Sequence, residues 1–306
     1  MPELPEVEVV RRGLEPTARG SVVRQVKVLE PRSLKRHPGP LDDFVHQLTG
    51  ATLDRPVRRG KFLWIPFIDR DAGADRALLC HLGMSGQMLI GKHPDQFGRL
   101  ARILIELDVP GREPLWWGFV DQRIFGSLAI DQLVTDQPGV PSGAGSADDR
   151  IPGQVRHIGR DLLDPAIDDG QLIRRMRQRS SGIKRVLLDQ NLQSGVGNIY
   201  ADEALWREKI HYDQPAERLT AARLRGLLLS VREVFTQALD EGGTSFDWQY
   251  VNVNGQSGYF SRSLNAYGQD GQSCGRCGRT IVREPFMNRS SFRCPKCQPR
   301  PRKKVG

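Results

Sequence analysis

Four cysteines close to the end of the chain, Cys274-x2-Cys277-x16-Cys294-x2-Cys297, constrain this 306-residue sequence more than any other feature. Two Cys-x-x-Cys knuckles at that separation close a tetrahedral thiolate shell on a hairpin of two tight turns, the pattern of a structural Zn2+ site. Protein then fills every coordination position, so the metal organises the fold and does no chemistry. Gly275 and Gly278 let the knuckle backbone turn tightly. The fifth cysteine, Cys80, stands alone in an apolar stretch, which is metal-site usage rather than a disulfide framework.

The charge is concentrated on the same unit. The chain carries a formal +9, and residues 271–306 hold ten Lys/Arg against one acid, Glu284. The other 270 residues carry 35 basic and 35 acidic groups and balance. A positive excess confined to one small unit points to a polyanion such as nucleic acid. A solubilising tail would account for Arg300–Lys304, but not for the basic residues between the cysteines. The length allows two domains with a sizeable core. No apolar run approaches the ~20 residues that span a bilayer. The first residues are acidic where a signal peptide is basic, so a cytoplasmic protein with no membrane partner is expected.

Along the chain, Val7, Val10 and Leu14 mark one face of a helix from about residue 5 to 18, with Gly20 as its stop. Short β-rich runs follow, at Ser21–Leu29, Lys61–Ile68, Arg76–His81, Gln87–Ile90, Ala101–Leu107, Leu115–Val120 and Phe125–Ile130. Their spacing suggests a β-sandwich or barrel-like domain. A stretch rich in Pro and Gly reads as a linker. Beyond it, Leu224, Leu227, Leu228, Val231, Phe235 and Leu239 predict a long amphipathic helix with Thr220 as N-cap. Two shorter helices are expected around Gln193–Asn198, and the residues from Gly242 to Gly258 read as a mobile loop. The expected organisation is a first domain over 1–132, a linker over 133–153, a helical module over 154–245, and a loop plus finger over 246–306.

The chain opens Met-Pro-Glu-Leu-Pro-Glu. Removal of the initiator Met, which a small second residue permits, would leave Pro2 as a free secondary amine. An α-amine has a reference pKa near ~7.8 against ~10.4 for lysine, so far more of it is neutral and nucleophilic at pH 7. A secondary amine condensing with a sugar aldehyde gives an iminium that is cationic without a proton, an electron sink suited to elimination. Glu3 and Glu6 place two carboxyls beside it, one available as an acid. The same six residues also suit an ordinary Pro-capped helix start.

Other motifs are weaker alone. Ser194-Gly-Val-Gly-Asn198-Ile-Tyr reads as a glycine turn entering a helix, either a phosphate site or a plain cap. Lys61, in Arg-Arg-Gly-Lys61, is a phosphate ligand or a solvated strand edge. His81-Leu-Gly-Met84-Ser-Gly and Asp121-Gln-Arg123-Ile-Phe125-Gly are turns that set a long or bulky side chain beside glycines. Met84 and Phe125 are core residues unless a partner leaves a hole, and a duplex that loses a base leaves one. His81 reads as structural, with no second metal ligand near it.

Taken together and in order, these motifs resemble the formamidopyrimidine-DNA glycosylase family over the whole chain. The resemblance implies an α+β fold in two domains. An N-terminal β-sandwich with flanking helices would precede a helix–two-turn–helix module and a four-cysteine zinc finger. It implies a monomeric bifunctional glycosylase and AP lyase of base excision repair, acting in the bacterial nucleoid on duplex DNA with oxidised purines or abasic sites. Pro2 would be the nucleophile at C1′, Glu3 the acid, Lys61 a phosphate ligand also assigned to β-elimination, and Arg289 a finger phosphate ligand assigned to δ-elimination. Asn198, Arg179 and Glu6 would serve DNA binding, and Met84, Arg123 and Phe125 would fill the gap left by the flipped base. Residues Thr244–Tyr259 would close over that base. The related endonuclease VIII type, which prefers oxidised pyrimidines, is the alternative. A non-catalytic zinc-finger protein would leave Pro2, Glu3 and Lys61 as coincidence. Three departures stand out: Gln122 and Ile124 replace the family's usual Pro and Arg, Leu100 replaces a histidine, and Gln178 replaces a lysine that Arg179 would stand in for.

Overall fold

A computed structural model describes residues 2–69, 73–243, 253–254 and 258–301. The chain divides into two compact units, Met1–His157 with Gly242–Tyr259, and Ile158–Glu241 with Phe260–Gly306. Most of the loop expected at Thr244–Tyr259 lies outside the described residues.

The first unit opens with α1 (Leu4–Ala18), whose Val7, Val10, Leu14 and Ala18 are buried at helical spacing. Gly20, at φ +77°, turns the chain into β1 (Val22–Val28). Next come α2 (Leu41–Leu48), β2 (Thr52–Leu53), β3 (Val57–Arg59), β4 (Phe62–Asp69), β5 (Gly73–His81) and β6 (Gly86–Gly91). Then follow β7 (Ala101–Asp108), β8 (Leu115–Asp121), β9 (Ser127–Thr135) and β10 (Arg150–Pro152). The hydrogen-bonded order is β10-β9-β5-β4-β2-β1-β7-β8-β6, antiparallel throughout, with β3 also paired to β4.

Alternate residues of both halves of this ladder meet in one core. Leu63, Ile65 and Phe67 of β4 and Leu78 and Cys80 of β5 join Ile103, Ile105 and Leu107 of β7 and Trp117 and Phe119 of β8. That period of two, with inward faces sharing a core, makes the unit a sandwich. The stretch that reads as a linker is folded onto this unit. Its first residues end β9, and β10 pairs with β9 through Ile151 and Val134. Between them Arg58 and Ala144 exchange backbone hydrogen bonds of 2.9 Å in both directions.

The second unit is helical, with α3 (Asp169–Arg177), α4 (Ile183–Leu187), α5 (Asn198–Arg207) and α6 (Ala221–Asp240). Thr220 caps α6 as its sequence implies, the hydroxyl accepting from the Arg223 N–H at 3.2 Å. A hairpin of β11 (Val282–Phe286) and β12 (Arg289–Arg293) closes the chain between the two cysteine pairs. No described helix is long and apolar enough to cross a membrane.

Candidate catalytic and nucleic-acid-binding residues

In the first unit, Pro2 and Glu3 lie at the head of α1, both buried. The helix begins there because Glu3 is extended and its N–H donates to the Glu6 carboxylate at 2.8 Å, as in a capping box. Glu6 is thereby tied to the backbone of the turn that positions Pro2. Pro5 sits in the first turn, where its missing N–H costs nothing.

Lys61 occupies the two-residue turn joining β3 to β4. Gly60 takes φ +56° at the first turn position, the requirement of a II′ hairpin. The two arginines before it are not a solvated edge. Arg58 and Arg59 are each 2 % exposed, with Arg58 on Glu8 at 2.9 Å and Arg59 on Asp136 at 2.8 Å. Burial taxes Glu8, but Arg58 and Arg11 outweigh it and hold its carboxyl below the usual range. The half-buried Lys61 thus stands on a rigid, internally neutralised hairpin.

His81 at the end of β5 packs on Phe62 across the strand pair, ring centroids 4.7 Å apart. Burial first, then the cations Arg36, Lys61 and Lys35, push it down to about 4. Its Nδ1 accepts from the Gly83 N–H at 3.2 Å, which keeps the ring neutral and structural.

Met84 and Phe125 are among the exposed large apolar residues, at 40 % and 44 %. They do not lie in the core, and β9 begins only at Ser127, so Phe125 belongs to a turn. Asp121, fully buried, builds that turn by accepting from the N–H groups of Arg123 (3.0 Å) and Gly126 (2.7 Å) and from the Ser85 hydroxyl. The Arg123 guanidinium lies 4.4 Å from the Phe125 ring centroid. Leu100 packs beside an outer apolar cluster of Phe97, Leu104 and Trp116.

In the second unit the cysteine sulfurs all lie within 4.8 Å of one another. A tetrahedron of Zn–S bonds near ~2.3 Å has edges of roughly 3.8 Å, so the donor set fits one ion. Burial raises the Cys274 thiol, but the Arg276 N–H and the Trp206 indole N–H (3.4 Å) more than offset it and hold it at about 6. Burial and the neighbouring thiols push Cys297 up to about 12. Such a crowded set can be fully ionised only around a cation.

The finger's basic residues are not all available to phosphate. Arg276 donates to the carbonyls of Trp206 and Arg207 at the end of α5 (2.9 and 3.3 Å). Arg293 and Arg300 share Glu284, at 2.8 and 3.0 Å, and hold its carboxyl at about 2. The side chains of Arg279, Arg289 and Lys296 remain exposed, without a hydrogen bond or ion pair to any described residue. Arg289 stands just past the hairpin tip, where Met287 takes φ +51°.

Asn198 is the first residue of α5 rather than its cap, which is Gly197. Its side-chain N–H donates to the Ser290 carbonyl at 2.9 Å, beside Arg289. Two acids of the same motif carry roles that the sequence does not announce. Asp202, nearly fully buried, takes the Lys184 ammonium (2.7 Å), the Ser291 hydroxyl (2.8 Å) and the Phe292 N–H (3.0 Å). Burial outweighs these partners and lifts its carboxyl to about 6. Glu203 receives the N–H groups of Asn265, Ala266 and Tyr267. Helix α5 therefore fastens the finger through three side chains. The available signal was two acids set among Ile199, Tyr200, Leu205 and Trp206. Arg179 is half-exposed past α3, 3.8 Å from Asp189.

Comparison with known proteins agrees over the whole length. The family model for the formamidopyrimidine-DNA glycosylase N-terminal domain matches residues 1–128, and that for its H2TH domain matches residues 158–249. A formamidopyrimidine-DNA glycosylase of Leifsonia xyli is 55 % identical over 298 residues, 97 % of this chain and 99 % of that one. One from Kineococcus radiotolerans is 50 % identical over 99 % of both chains. Among solved structures, a Lactococcus lactis FPG mutant bound to DNA containing Fapy-dG superposes with a TM-score of 0.80 at 27 % identity, over 98 % of this chain and all of that one. A MutM complex with DNA containing carbocyclic 8-oxo-G gives 0.79 at 27 % identity. With both family models matched in order and relatives alike from end to end, this chain belongs to the formamidopyrimidine-DNA glycosylase family.

Proposed function

We propose that the protein is a bifunctional DNA glycosylase and AP lyase that removes oxidised purines, 8-oxoguanine and formamidopyrimidines, from duplex DNA. The relatives bound to DNA containing Fapy-dG and 8-oxo-G motivate the substrate class. The observation that carries the chemistry is the head of α1, where Pro2 and Glu3 are buried together and Glu6 fixes the backbone between them. In this reading the Pro2 nitrogen, freed of Met1, attacks C1′ as the base departs with a proton supplied by Glu3. Glu3 then takes up the amine's proton and passes it to O4′ as the C1′–O4′ bond opens, which leaves the iminium at C1′. The iminium then accepts electrons as the C2′ proton leaves and the 3′ phosphate is expelled. Loss of a C4′ proton expels the 5′ phosphate, and water releases the amine. Lys61 and Arg289 hold phosphates and assist the two eliminations. Asn198, Arg179 and Glu6 serve binding, directly or by shaping the surface. Met84, Arg123 and Phe125 occupy the vacancy left by the flipped nucleotide, and Arg123 reads the orphaned base. The metal held by the four cysteines is zinc, the ion suited to a closed thiolate shell, with a structural role. The protein works inside the cell, on the nucleoid.

Borohydride trapping on 8-oxoguanine and thymine-glycol duplexes tests this. Processed protein should form a covalent adduct preferentially with the purine lesion, and protein retaining Met1 or an N-terminal tag should form none. Equal trapping by the tagged form would remove Pro2 from the mechanism. Preference for thymine glycol would favour the pyrimidine-directed alternative.

A further inference from the structure

The turn that carries Arg123 and Phe125 is strained and held from both sides. Ile124 has φ +56°, a left-handed conformation that a β-branched side chain rarely adopts and that persists only where its surroundings impose it. Four backbone groups are pinned. The Asp121 carboxylate takes the N–H groups of Arg123 and Gly126, and the Lys35 ammonium donates to the carbonyls of both Ile124 and Phe125 at 3.0 Å. Lys35 comes from a separate element, at the end of the short helix Pro31–Leu34, about ninety residues away in sequence. It is exposed, so it contributes no packing to the core.

The same bracket reaches the neighbouring turn. Ser85, next to Met84, donates to Asp121 and accepts from the Arg123 N–H at 3.3 Å. Gly83, at φ +62°, lies so close that an added Cβ would sit 2.4 Å from the Phe125 carbonyl carbon. A Cβ on Gly126 would meet the His81 carbonyl oxygen at 2.8 Å. The two turns are therefore interlocked, and neither can shift alone. With Gln122 in place of a proline, the turn is fixed by Asp121 at its own start and by Lys35 and Ser85 from outside it.

We propose that Lys35 is a positioning residue for recognition of the orphaned base, clamping the strained Ile124 turn so that Arg123 and Phe125 project in register with Met84. The proposal rests on the function proposed above. Lys35→Met keeps the length of the side chain and removes its donors, while Lys35→Arg can still bridge two carbonyls. Single-turnover excision of 8-oxoguanine opposite cytosine and opposite adenine, run beside thermal melts, is the test. Lys35→Met should narrow the cytosine-over-adenine preference by roughly tenfold, the scale of one good base contact, with the melting temperature nearly unchanged. Lys35→Arg should restore most of the preference. Adding Arg123→Ala to Lys35→Met should cost much less than Arg123→Ala alone, since the two act through one turn. A preference left intact would overturn the proposal. So would an equal loss opposite both bases with a flatter salt dependence, which would make Lys35 a plain phosphate ligand. A large drop in melting temperature would mark it as a fold residue. A parent enzyme that shows no opposite-base preference would instead defeat the reading of Arg123, a result distinguishable from all of these.

Discussion

The two units put buried charge to different uses. In the first, the guanidinium groups of Arg58 and Arg59 lie inside, cancelled by Glu8 and Asp136, and act as struts under the hairpin that ends in Lys61. In the second, the acids Asp202 and Glu203 lie inside and hold the finger through Ser291, Phe292 and the Asn265–Tyr267 backbone. On the finger, the side chains of Arg279, Arg289 and Lys296 are exposed and within reach of a polyanion. The first unit also has a large apolar core shared by both faces of its sandwich, whereas the finger's apolar cluster contains little beyond Trp206, Ala266, Ile281 and Phe292 and two of the cysteines. The teaching is about what each unit depends on. Removing a charge from the sandwich disturbs a structure with hydrophobic reserve. The finger has almost none, and it rests on its four-cysteine site, which fits one metal ion, and on α5.

The largest expected effect breaks that comparison at the metal. Cys294→Ser should abolish metal binding, with a loss on the order of 10 kcal/mol for folding of the finger. DNA binding should go with it, while the sandwich stays folded. Elemental analysis, gel shift and protease mapping decide the point. A protein that lacks metal yet binds DNA normally would show that the finger does not need it.

A smaller effect separates the fasteners from the metal. Asp202→Ala leaves the Lys184 ammonium buried without its carboxylate, and removing one partner of a buried pair typically costs about 3–5 kcal/mol. The Ser291 hydroxyl and Phe292 N–H lose their acceptor in the same change. The loss should appear as easier proteolysis of residues after Phe260 in metal-loaded protein, with metal content retained. If the metal is lost together with the fastener, the two supports are one cooperative unit rather than two.

How much of this was readable in advance follows from the range of each interaction. Helix α1, the capped α6 and the cysteine shell were legible because periodicity, caps and knuckle spacing are local. The strands of the sandwich were legible from their alternation, but the two- and three-residue strands β2, β3 and β10 carry too few residues to show a period. The burial of Arg58 and Arg59 was not legible because their partners, Glu8 and Asp136, lie 50 and 77 residues away. Asn198 read as a cap because glycine, the actual cap, offers no side chain to recognise. The Ile124 turn was illegible for a related reason: sequence rules place glycine at positive φ, and here Asp121 and Lys35 impose it on isoleucine. Among the site residues, those named from motifs all fall on turns or element ends. The supporting roles of Lys35, Ser85, Asp121 and Asp202 were not legible, because support is a property of the fold and not of a spacing.

The smallest expected effect sharpens the comparison through pH. His81 in the first unit and His211 in the second are both held down to about 4, in each case by burial first and then by cations, Arg36, Lys61 and Lys35 around one and Arg293 around the other. An unfolded histidine titrates near 6.5. Between pH 6.5 and 4 the unfolded chain therefore binds protons that the folded chain refuses, so stability rises with pH across that window and is lost as pH falls through it. The slope for one such group is at most about 1.4 kcal/mol per pH unit. Carboxylates held at about 2, such as Glu284, act only below their ordinary range near 4.5. Asp202, lifted to about 6, binds its proton first in the folded chain and opposes the histidines. It lies in the second unit and is the same in parent and variant, so the difference between the two proteins belongs to His81. His81→Gln removes the titration of the first unit and leaves His211 in place. Urea midpoints followed by tryptophan fluorescence, which reports mainly on Trp64, Trp116 and Trp117 of the sandwich, should fall less steeply toward pH 4.5 in this variant than in the parent, by up to about 2 kcal/mol. The difference should vanish above pH 7, apart from a constant offset for the lost packing on Phe62. An identical pH profile in both proteins would mean that His81 gains protons as readily when folded, and that the cations Lys35, Arg36 and Lys61 do not crowd it in solution.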